Sequence, residues 1–408
     1  MGVRSRRQSR GTRKVTASPS SDDRLARAPV DGGGPDRLRD RVADWRNRLL
    51  ASARFQRWAA GFPLTRPIAR RQAHGLFDLT AGFVYAQVLY CCVRLRLLDT
   101  LWHAGPQPLA TLADRVSLPL DAADRLVRAA TSLKLLETRA DGRIGLGPKG
   151  AVVVGSPGIA AMVEHHAMLY ADLADPIALL RGQRGPTRLG AYWPYANTED
   201  PRELSEDSVG GYSQLMAQSQ PLVAAEALEA YPFHKHRRLL DVGGGDGAFL
   251  TAAAEALPEL ELMLFDLPAV AERARRQFAA ASLGDRITAH GGDFFADPLP
   301  GGADAISLVR ILHDHDDARV ARLLANVYSA LPVGGTVVVA EPMASDDSAA
   351  PVGDAYFGFY LLAMGRGRAR TPAEQRSLLE SAGFSRVRAW RTRQPFLARV
   401  MSARKDTA

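Results

Sequence analysis

The chain has 408 residues, of which 46% are hydrophobic and 24% charged, the balance of a globular protein long enough for two domains. Its net charge of +8 resembles a nucleic-acid signal, but residues 1–50 hold 13 basic and 6 acidic groups while the other 358 carry 39 and 38. A nearly neutral body excludes phosphate neutralisation as its main business, and no nucleic-acid partner is expected.

No run of about 18 apolar residues stands out, so no spanning helix is expected. The Arg- and Ser-rich start lacks an apolar h-region, so no secretory signal is expected either. The two cysteines, Cys91 and Cys92, are adjacent in an apolar stretch; they suit a reducing, cytoplasmic compartment and imply no disulfide framework or metal cluster.

Residues 1–35, from Arg4 to Gly32-Gly33-Gly34-Pro35, have almost no large apolar side chains and are expected to form a disordered basic tail. From Asp36 a helical period puts Leu38, Val42, Trp45 and Leu49 on one face; Phe55, Trp58 and Phe62 follow. This 36–72 segment reads either as a helix packed on the body or a second subunit, or as a basic, Trp-bearing helix in a membrane interface.

Leu76–Leu101 reads as one long apolar helix, core or dimer interface. A short helix (Leu109–Val116), a second (Leu120–Leu136) and a hairpin around Asp141-Gly142 give a winged-helix order. The second helix offers only Arg125, Arg128 and Lys134 against Asp121 and Asp124, too weak a basic face for DNA, so a dimerisation scaffold is expected over 73–225. Residues 159–235 read as helical, with Met168, Tyr170, Tyr212 and Met216 able to line an apolar pocket. His165 and His166 are neighbours on a helix and point apart, which argues against a shared metal.

From Arg238 strands alternate with helices: Leu239–Val242, Leu260–Phe265, Ile287–His290, Ala305–Val309 and Thr336–Ala340, then a helix over Pro372–Ala382 and two closing strands at Val387–Trp390 and Leu397–Met401. Such alternation predicts a doubly wound α/β domain over 226–408, Rossmann-like, with its ligand where strands end. Gly243, Gly245 and Gly247 follow the first strand and let backbone approach a ligand. The run also satisfies the dinucleotide pattern as Gly243-x-Gly245-x-x-Ala248, so the nucleotide is left open at this point.

Polar residues recur at successive strand ends. Asp241 precedes the turn, Asp266 ends the second strand where a ribose diol is bound, and Asp293 and Phe294 follow the third, suited to an adenine amino group and ring face. His313 lies just beyond the fourth strand and Glu341 ends the fifth, so adjacent parallel strands bring them together as an oriented general base. His315, Asp316 and Asp317 read as a solvent-facing helix start.

These motifs, Asp241-Val-Gly-Gly-Gly-Asp-Gly247, Phe265-Asp-Leu-Pro268, Gly292-Asp-Phe-Phe295, Leu312-His-Asp-His-Asp-Asp317 and Val339-Ala-Glu341, resemble those of S-adenosylmethionine-dependent small-molecule O-methyltransferases of the caffeate and hydroxyindole type. The resemblance runs from about Leu76 to the C-terminus. It implies S-adenosylmethionine as cofactor, held by Asp241, Gly243, Gly245, Asp266, Leu267, Asp293, Phe294 and Arg310, and a homodimer. It also implies His313 as the base, oriented by Glu341. The family's second Glu, in a Lys/Arg-Glu-Arg-Thr element, is replaced by Ala369 in Arg368-Ala-Arg-Thr371, which leaves His313 positioned mainly by Glu341.

Further stretches, Arg54-Phe-Gln-Arg-Trp-Ala-Ala60, Phe62-Pro-Leu-Thr-Arg-Pro-Ile-Ala-Arg70, His165–Asp175 and Tyr360-Leu-Leu-Ala-Met-Gly365, are similar to those of bacterial hydroxyneurosporene/demethylspheroidene O-methyltransferases. That implies the tertiary hydroxyl of an acyclic carotenoid as acceptor, with Met168, Tyr212, Met216, Tyr360 and Met364 lining its site and peripheral membrane contact through 36–62. A phenolic, hydroxyindole or polyketide acceptor is the alternative. An NAD(P)-dependent oxidoreductase and a ligand-binding winged-helix regulator are the other classes. The first lacks a Tyr-x-x-x-Lys pair here, and the second lacks a basic face.

Overall fold

The computed structural model describes residues 35–183, 185–192, 220–345 and 352–406. It divides into two compact units, one ending at Gly82 and one beginning at Phe83.

In the first unit a helix over Pro35–Ala51 is followed by one over Ala53–Gly61, capped by Ser52, whose side chain accepts from the Phe55 amide. Trp58 stacks on Phe62 with ring centroids 5.2 Å apart. The helical period from Asp36 is realised, and Leu38, Val42 and Trp45 on its apolar face are exposed.

The stretch expected as one helix to Leu101 is two, Arg66–Arg94 and Leu97–Ala104. Arg96 separates them in the left-handed region at φ 53°, which ends one helix and starts another at a new angle. By length and composition alone the first of these is long and apolar enough to cross a membrane, and only 11% of its most apolar window is buried within the protein.

In the second unit, helices Leu109–Arg115 and Leu120–Ser132 lead into β1 (Leu136–Thr138) and β2 (Ile144–Leu146), an antiparallel pair. The hairpin is where Asp141-Gly142 puts it, with Gly142 at φ 79°. The preceding helix stops at Ser132 rather than Leu136, because Lys134 turns left-handed at φ 63° and frees Leu136 for the strand. Helices Pro157–Asp172, Pro176–Leu180 and Arg188–Tyr192 follow.

The main sheet contains β3 (Arg238–Val242), β4 (Glu261–Asp266), β5 (Ile287–Gly291), β6 (Ala305–Val309), β7 (Thr336–Glu341), β8 (Ser385–Trp390) and β9 (Arg399–Arg404). Its order is β5-β4-β3-β6-β7-β9-β8; β9 is antiparallel to both β7 and β8, and the other pairs are parallel. Successive side chains point to opposite faces, so Leu239 joins Phe249, Leu250 and Phe278 on one side while Leu240 joins Ile306, Leu323 and Val327 on the other. That two-sided burial explains why the strands read as continuous apolar runs. The order reverses between β3 and β6, and the crevice beyond their C-terminal ends is where such a fold takes a ligand.

Candidate active site

The glycine turn leaves β3 with Gly243, Gly245 and Gly247 all at positive φ, 73°, 58° and 82°. A Cβ on Gly243 would meet Ile311 Cδ1 at 2.4 Å, and one on Gly247 would meet the Phe278 ring at 2.2 Å, so packing requires both. A Cβ on Gly245 meets nothing within 4 Å among the described residues. Its requirement is conformational, and its open face is the side from which a ligand can approach. The helix Ala248–Ala256 begins there with no side-chain cap, leaving first-turn N–H groups directed at the same space.

Asp266, 8% exposed, accepts from the Gly245 amide at 2.8 Å and from the Leu267 amide at 2.7 Å. Two such bonds leave a carboxylate further acceptor positions, the chemistry a vicinal diol needs. Burial raises its pKa to about 6 in spite of these amides.

Asp241 occupies a different place: it is 1% exposed, its Oδ1 accepts from Ser307 Oγ at 2.6 Å, and its Oδ2 has no partner among the described residues. Its register partner on β6 is Ser307 itself, and burial raises its pKa to about 7. It supports the turn from beneath, next to Gly244.

Asp293 caps its own loop, accepting from the Phe295 amide at 2.8 Å, and is half-buried. Phe294 lies 3.6 Å from the Cβ position of Gly243 and so flanks the turn. His315 corrects the expectation of a solvent-facing residue. Its ring packs edge-on against Phe295 at 4.9 Å and Phe294 at 5.9 Å, and burial lowers its pKa to about 3, keeping it neutral. Asp316 does cap the next helix, accepting from the Arg319 amide, and Asp317 is exposed and paired with Arg368.

Val309 on β6 is in register with Ala340 on β7, so the residues just beyond them converge. His313, 4% exposed, places Nδ1 3.1 Å from Glu341 Oε2, and its backbone N–H donates to the same oxygen at 3.1 Å. Its other nitrogen, Nε2, is 3.1 Å from Asp314 Oδ1. Burial favours the neutral imidazole, but the carboxylates of Asp314 and Glu341 outweigh it and raise the pKa above the usual value.

Arg310 is held left-handed at φ 59° at the end of β6, its amide donating to Ala340 O, and its charge opposes protonation of His313. A non-glycine residue in that region at a strand end is a strained feature of the kind that marks functional sites.

Two supporting residues escaped the sequence reading. Arg370, fully buried, donates to Leu312 O at 2.6 Å, to His315 O at 2.7 Å and to Asp317 Oδ1 at 2.7 Å, clamping the loop that carries His313. Gln375, also fully buried, donates through Nε2 to Glu341 Oε1. The arrangement around His313 is thus more constrained than the replacement by Ala369 suggested.

Among the substrate candidates, Tyr360 and Met364 lie in one buried cluster with Leu169, Leu179 and Leu189, while Met168 is half-buried on the helix Pro157–Asp172. Tyr212 and Met216 lie outside the described residues. His165 and His166 each meet a different tyrosine hydroxyl. Nε2 of His165 is 2.8 Å from the Tyr360 hydroxyl, and Nε2 of His166 is 2.6 Å from the Tyr356 hydroxyl. Burial lowers the His165 pKa to about 4, so it is neutral. Phe357, between Tyr356 and Tyr360 in the chain, sets its ring 6.2 Å from that of His313.

Against known proteins, residues 170–385 match an O-methyltransferase domain and residues 77–149 an O-methyltransferase dimerisation domain. The chain belongs to the S-adenosylmethionine-dependent O-methyltransferase family. It is 46% identical over 360 residues to the demethylspheroidene O-methyltransferase of Cereibacter sphaeroides, covering 87% of this chain and 93% of that one. It is 40% identical to the Rhodobacter capsulatus protein of the same name, covering 96% of each. Human N-acetylserotonin methyltransferase, solved in complex with SAM, superposes with a TM-score of 0.69 at 26% identity, over 82% of this chain and 98% of that one. The dimerisation match supports a homodimer, and it begins at Phe77, within the exposed apolar face of the helix Arg66–Arg94.

Proposed function

We propose that this O-methyltransferase methylates the tertiary hydroxyl of an acyclic carotenoid, with His313 as general base oriented by Glu341. The observation that carries the base assignment is the His313–Glu341 pair, 3.1 Å apart and buried, at the strand ends next to the turn and Asp266. The acceptor follows from two relatives named demethylspheroidene O-methyltransferase, matched over nearly their whole length.

S-adenosylmethionine, when bound, supplies an electrophilic methyl on a sulfonium. The residues present fit it: Gly245 offers an open face, Asp266 offers spare acceptor positions for the ribose hydroxyls, and Phe294 flanks the turn as an apolar cover for adenine. Leu267 and Arg310, at the ends of the strands on either side of β3, are assigned to the same ligand, and Asp293 to its base.

An aliphatic alcohol is far too weak an acid to ionise beforehand, so His313 takes the hydroxyl proton as the oxygen becomes a nucleophile. Glu341 keeps a proton on Nδ1, so Nε2 is the accepting nitrogen. Asp314, beside Nε2, then receives the hydrogen bond of the imidazolium. Burial excludes water from this exchange and strengthens each of these interactions.

The experiment is S-adenosylhomocysteine formation measured with a hydroxycarotenoid and a panel of phenols and hydroxyindoles, on the wild type and His313→Ala. Turnover of the carotenoid, lost by about 10²–10⁴ in the variant with cofactor affinity retained, is the expected result. Near-normal turnover by His313→Ala sinks the base assignment, and turnover confined to the aromatic panel sinks the acceptor.

The same reading gives the helix Pro35–Ala51 a peripheral membrane role, since Leu38, Val42 and Trp45 are exposed among arginines and an apolar acceptor resides in lipid. Co-flotation with anionic vesicles, abolished by Trp45→Glu, tests it; flotation unchanged by that substitution removes the helix from the proposal.

A further inference from the structure

We infer that Gln375 is a positioning residue for the methyl-transfer reaction, fixing the Glu341 carboxylate and, through it, the tautomer of His313. The inference rests on the reading of His313 as the base.

Gln375 is in the first turn of the helix Pro372–Ser381, which Thr371 starts with a capping box to Glu374. Four residues on, Leu379 continues the same buried stripe, so position 375 is a core position by spacing. An amide there is a poor choice for packing alone. Gln375 is 0% exposed and its Oε1 has no hydrogen-bond partner among the described residues, a buried unsatisfied group that an apolar residue would avoid.

Its other end makes the contact that accounts for it. Nε2 donates to Glu341 Oε1, while Glu341 Oε2 accepts from both the backbone N–H and Nδ1 of His313. The orientation of the amide is fixed by this chemistry, since the flipped form would set its oxygen against a carboxylate oxygen.

The terminal torsion of a glutamate is soft, and a donor on Oε1 locks the carboxylate so that Oε2 stays directed at His313. Oε2 then stays the acceptor toward His313, the proton between them stays on Nδ1, and Nε2 is left unprotonated to take the acceptor's proton. An amide does not titrate, so this support is the same at every pH. The other charged groups facing His313 are Asp314, beside its Nε2, and Arg310, at the end of β6.

The test uses the full-length enzyme, with Gln375→Met, which keeps the length and removes the N–H, and Gln375→Glu. Turnover is read with the hydroxycarotenoid, or with a phenol if only the phenol panel is methylated. The His313 tautomer is read without any acceptor, from the nitrogen NMR shifts of histidine-labelled protein. Gln375→Met is expected to lower kcat about ten- to a hundred-fold, leave the S-adenosylhomocysteine Kd unchanged, and move the His313 shifts away from the Nδ1-protonated pattern.

In Gln375→Glu two buried carboxylates share a proton, and the protonated member replaces the amide donor. Its kcat is expected to approach the wild-type value at low pH and to fall as the shared proton is lost, adding a basic limb the wild type lacks. Wild-type kcat and unchanged histidine shifts in Gln375→Met would overturn the inference. If that variant does not fold, a wild-type pH profile in Gln375→Glu would overturn it equally. Loss of the base assignment shows up separately, as an active His313→Ala, and leaves the tautomer measurement on Gln375→Met standing on its own.

Discussion

Cofactor affinity should fall with acidification, and the pKa of Asp266 sets where. Burial raises that pKa to about 6, although the Gly245 and Leu267 amides both favour the ionised form. The ionised carboxylate is acceptor-only and can receive both hydroxyls of a ribose; once protonated it becomes a donor and loses that match. Its ionised fraction drops from about nine-tenths at pH 7 to about one-tenth at pH 5, so the Kd for S-adenosylhomocysteine should rise about ten-fold over that range.

Stability of the free enzyme should move the opposite way. A carboxylate whose folded pKa exceeds its unfolded value contributes fully below the unfolded pKa of 3.8, and that contribution is lost as pH rises through about 6. Isothermal calorimetry at pH 7, 6 and 5, with thermal melts alongside, separates the two trends. Asp266→Asn should bind weakly at pH 7 and show no such slope. A wild-type Kd that stays flat from pH 7 to 5, or an Asn variant that retains the wild-type slope, would refute the assignment of Asp266 to the cofactor.

Asp241, its Oδ2 unpartnered among the described residues and its pKa raised to about 7 by burial, is a destabilising charge above neutrality. Asp241→Asn should therefore stabilise the free enzyme by about 1–3 kcal/mol in melts at pH 8 and by much less at pH 5, where the wild-type residue is already neutral. Gly245→Ala should cost only about 1 kcal/mol of stability, for its φ of 58°, yet weaken S-adenosylhomocysteine binding, because the new methyl enters the open face. Gly243→Ala meets Ile311 at 2.4 Å as well as a φ of 73°, so its melting temperature should fall further; equal melts for the two would contradict the packing difference. Arg370→Met leaves the carbonyls of Leu312 and His315 without their donor and should cost about 2–4 kcal/mol by chemical denaturation, together with turnover, because the loop carrying His313 is released.

The parts of this site that are legible in the sequence are those tied to a local rule. Gly243 and Gly245 are visible because a tight turn after an apolar strand demands positive φ, and Asp266, Asp293, His313 and Glu341 because each closes or just follows a strand in a fold whose ligands gather there. Even the juxtaposition of His313 and Glu341 follows from counting, since β6 and β7 pair in parallel with Val309 opposite Ala340.

What counting cannot supply is partnership made through tertiary packing. His315 looks like part of an acidic helix start, yet its ring turns inward onto Phe294 and Phe295 because the loop is clamped by Arg370 from a segment more than fifty residues away. Asp241 looks equivalent to Asp266, and differs because its register partner is Ser307, which draws it beneath the sheet edge.

Gln375 marks the boundary between the two kinds of information. Its helical spacing from Leu379 identifies a core position, and a polar residue at such a position is a local inconsistency visible in sequence alone. The sequence does not say which buried group answers it. The replacement of the expected glutamate by Ala369 invites the conclusion that the base is loosely held. In the fold, the support for Glu341 comes instead from the first turn of the next helix, as a neutral donor rather than a second charge. An amide supplies that hydrogen bond without adding an ion to a site that already buries His313, Asp314 and Glu341, where a further carboxylate would compete for the proton that the imidazole must hold.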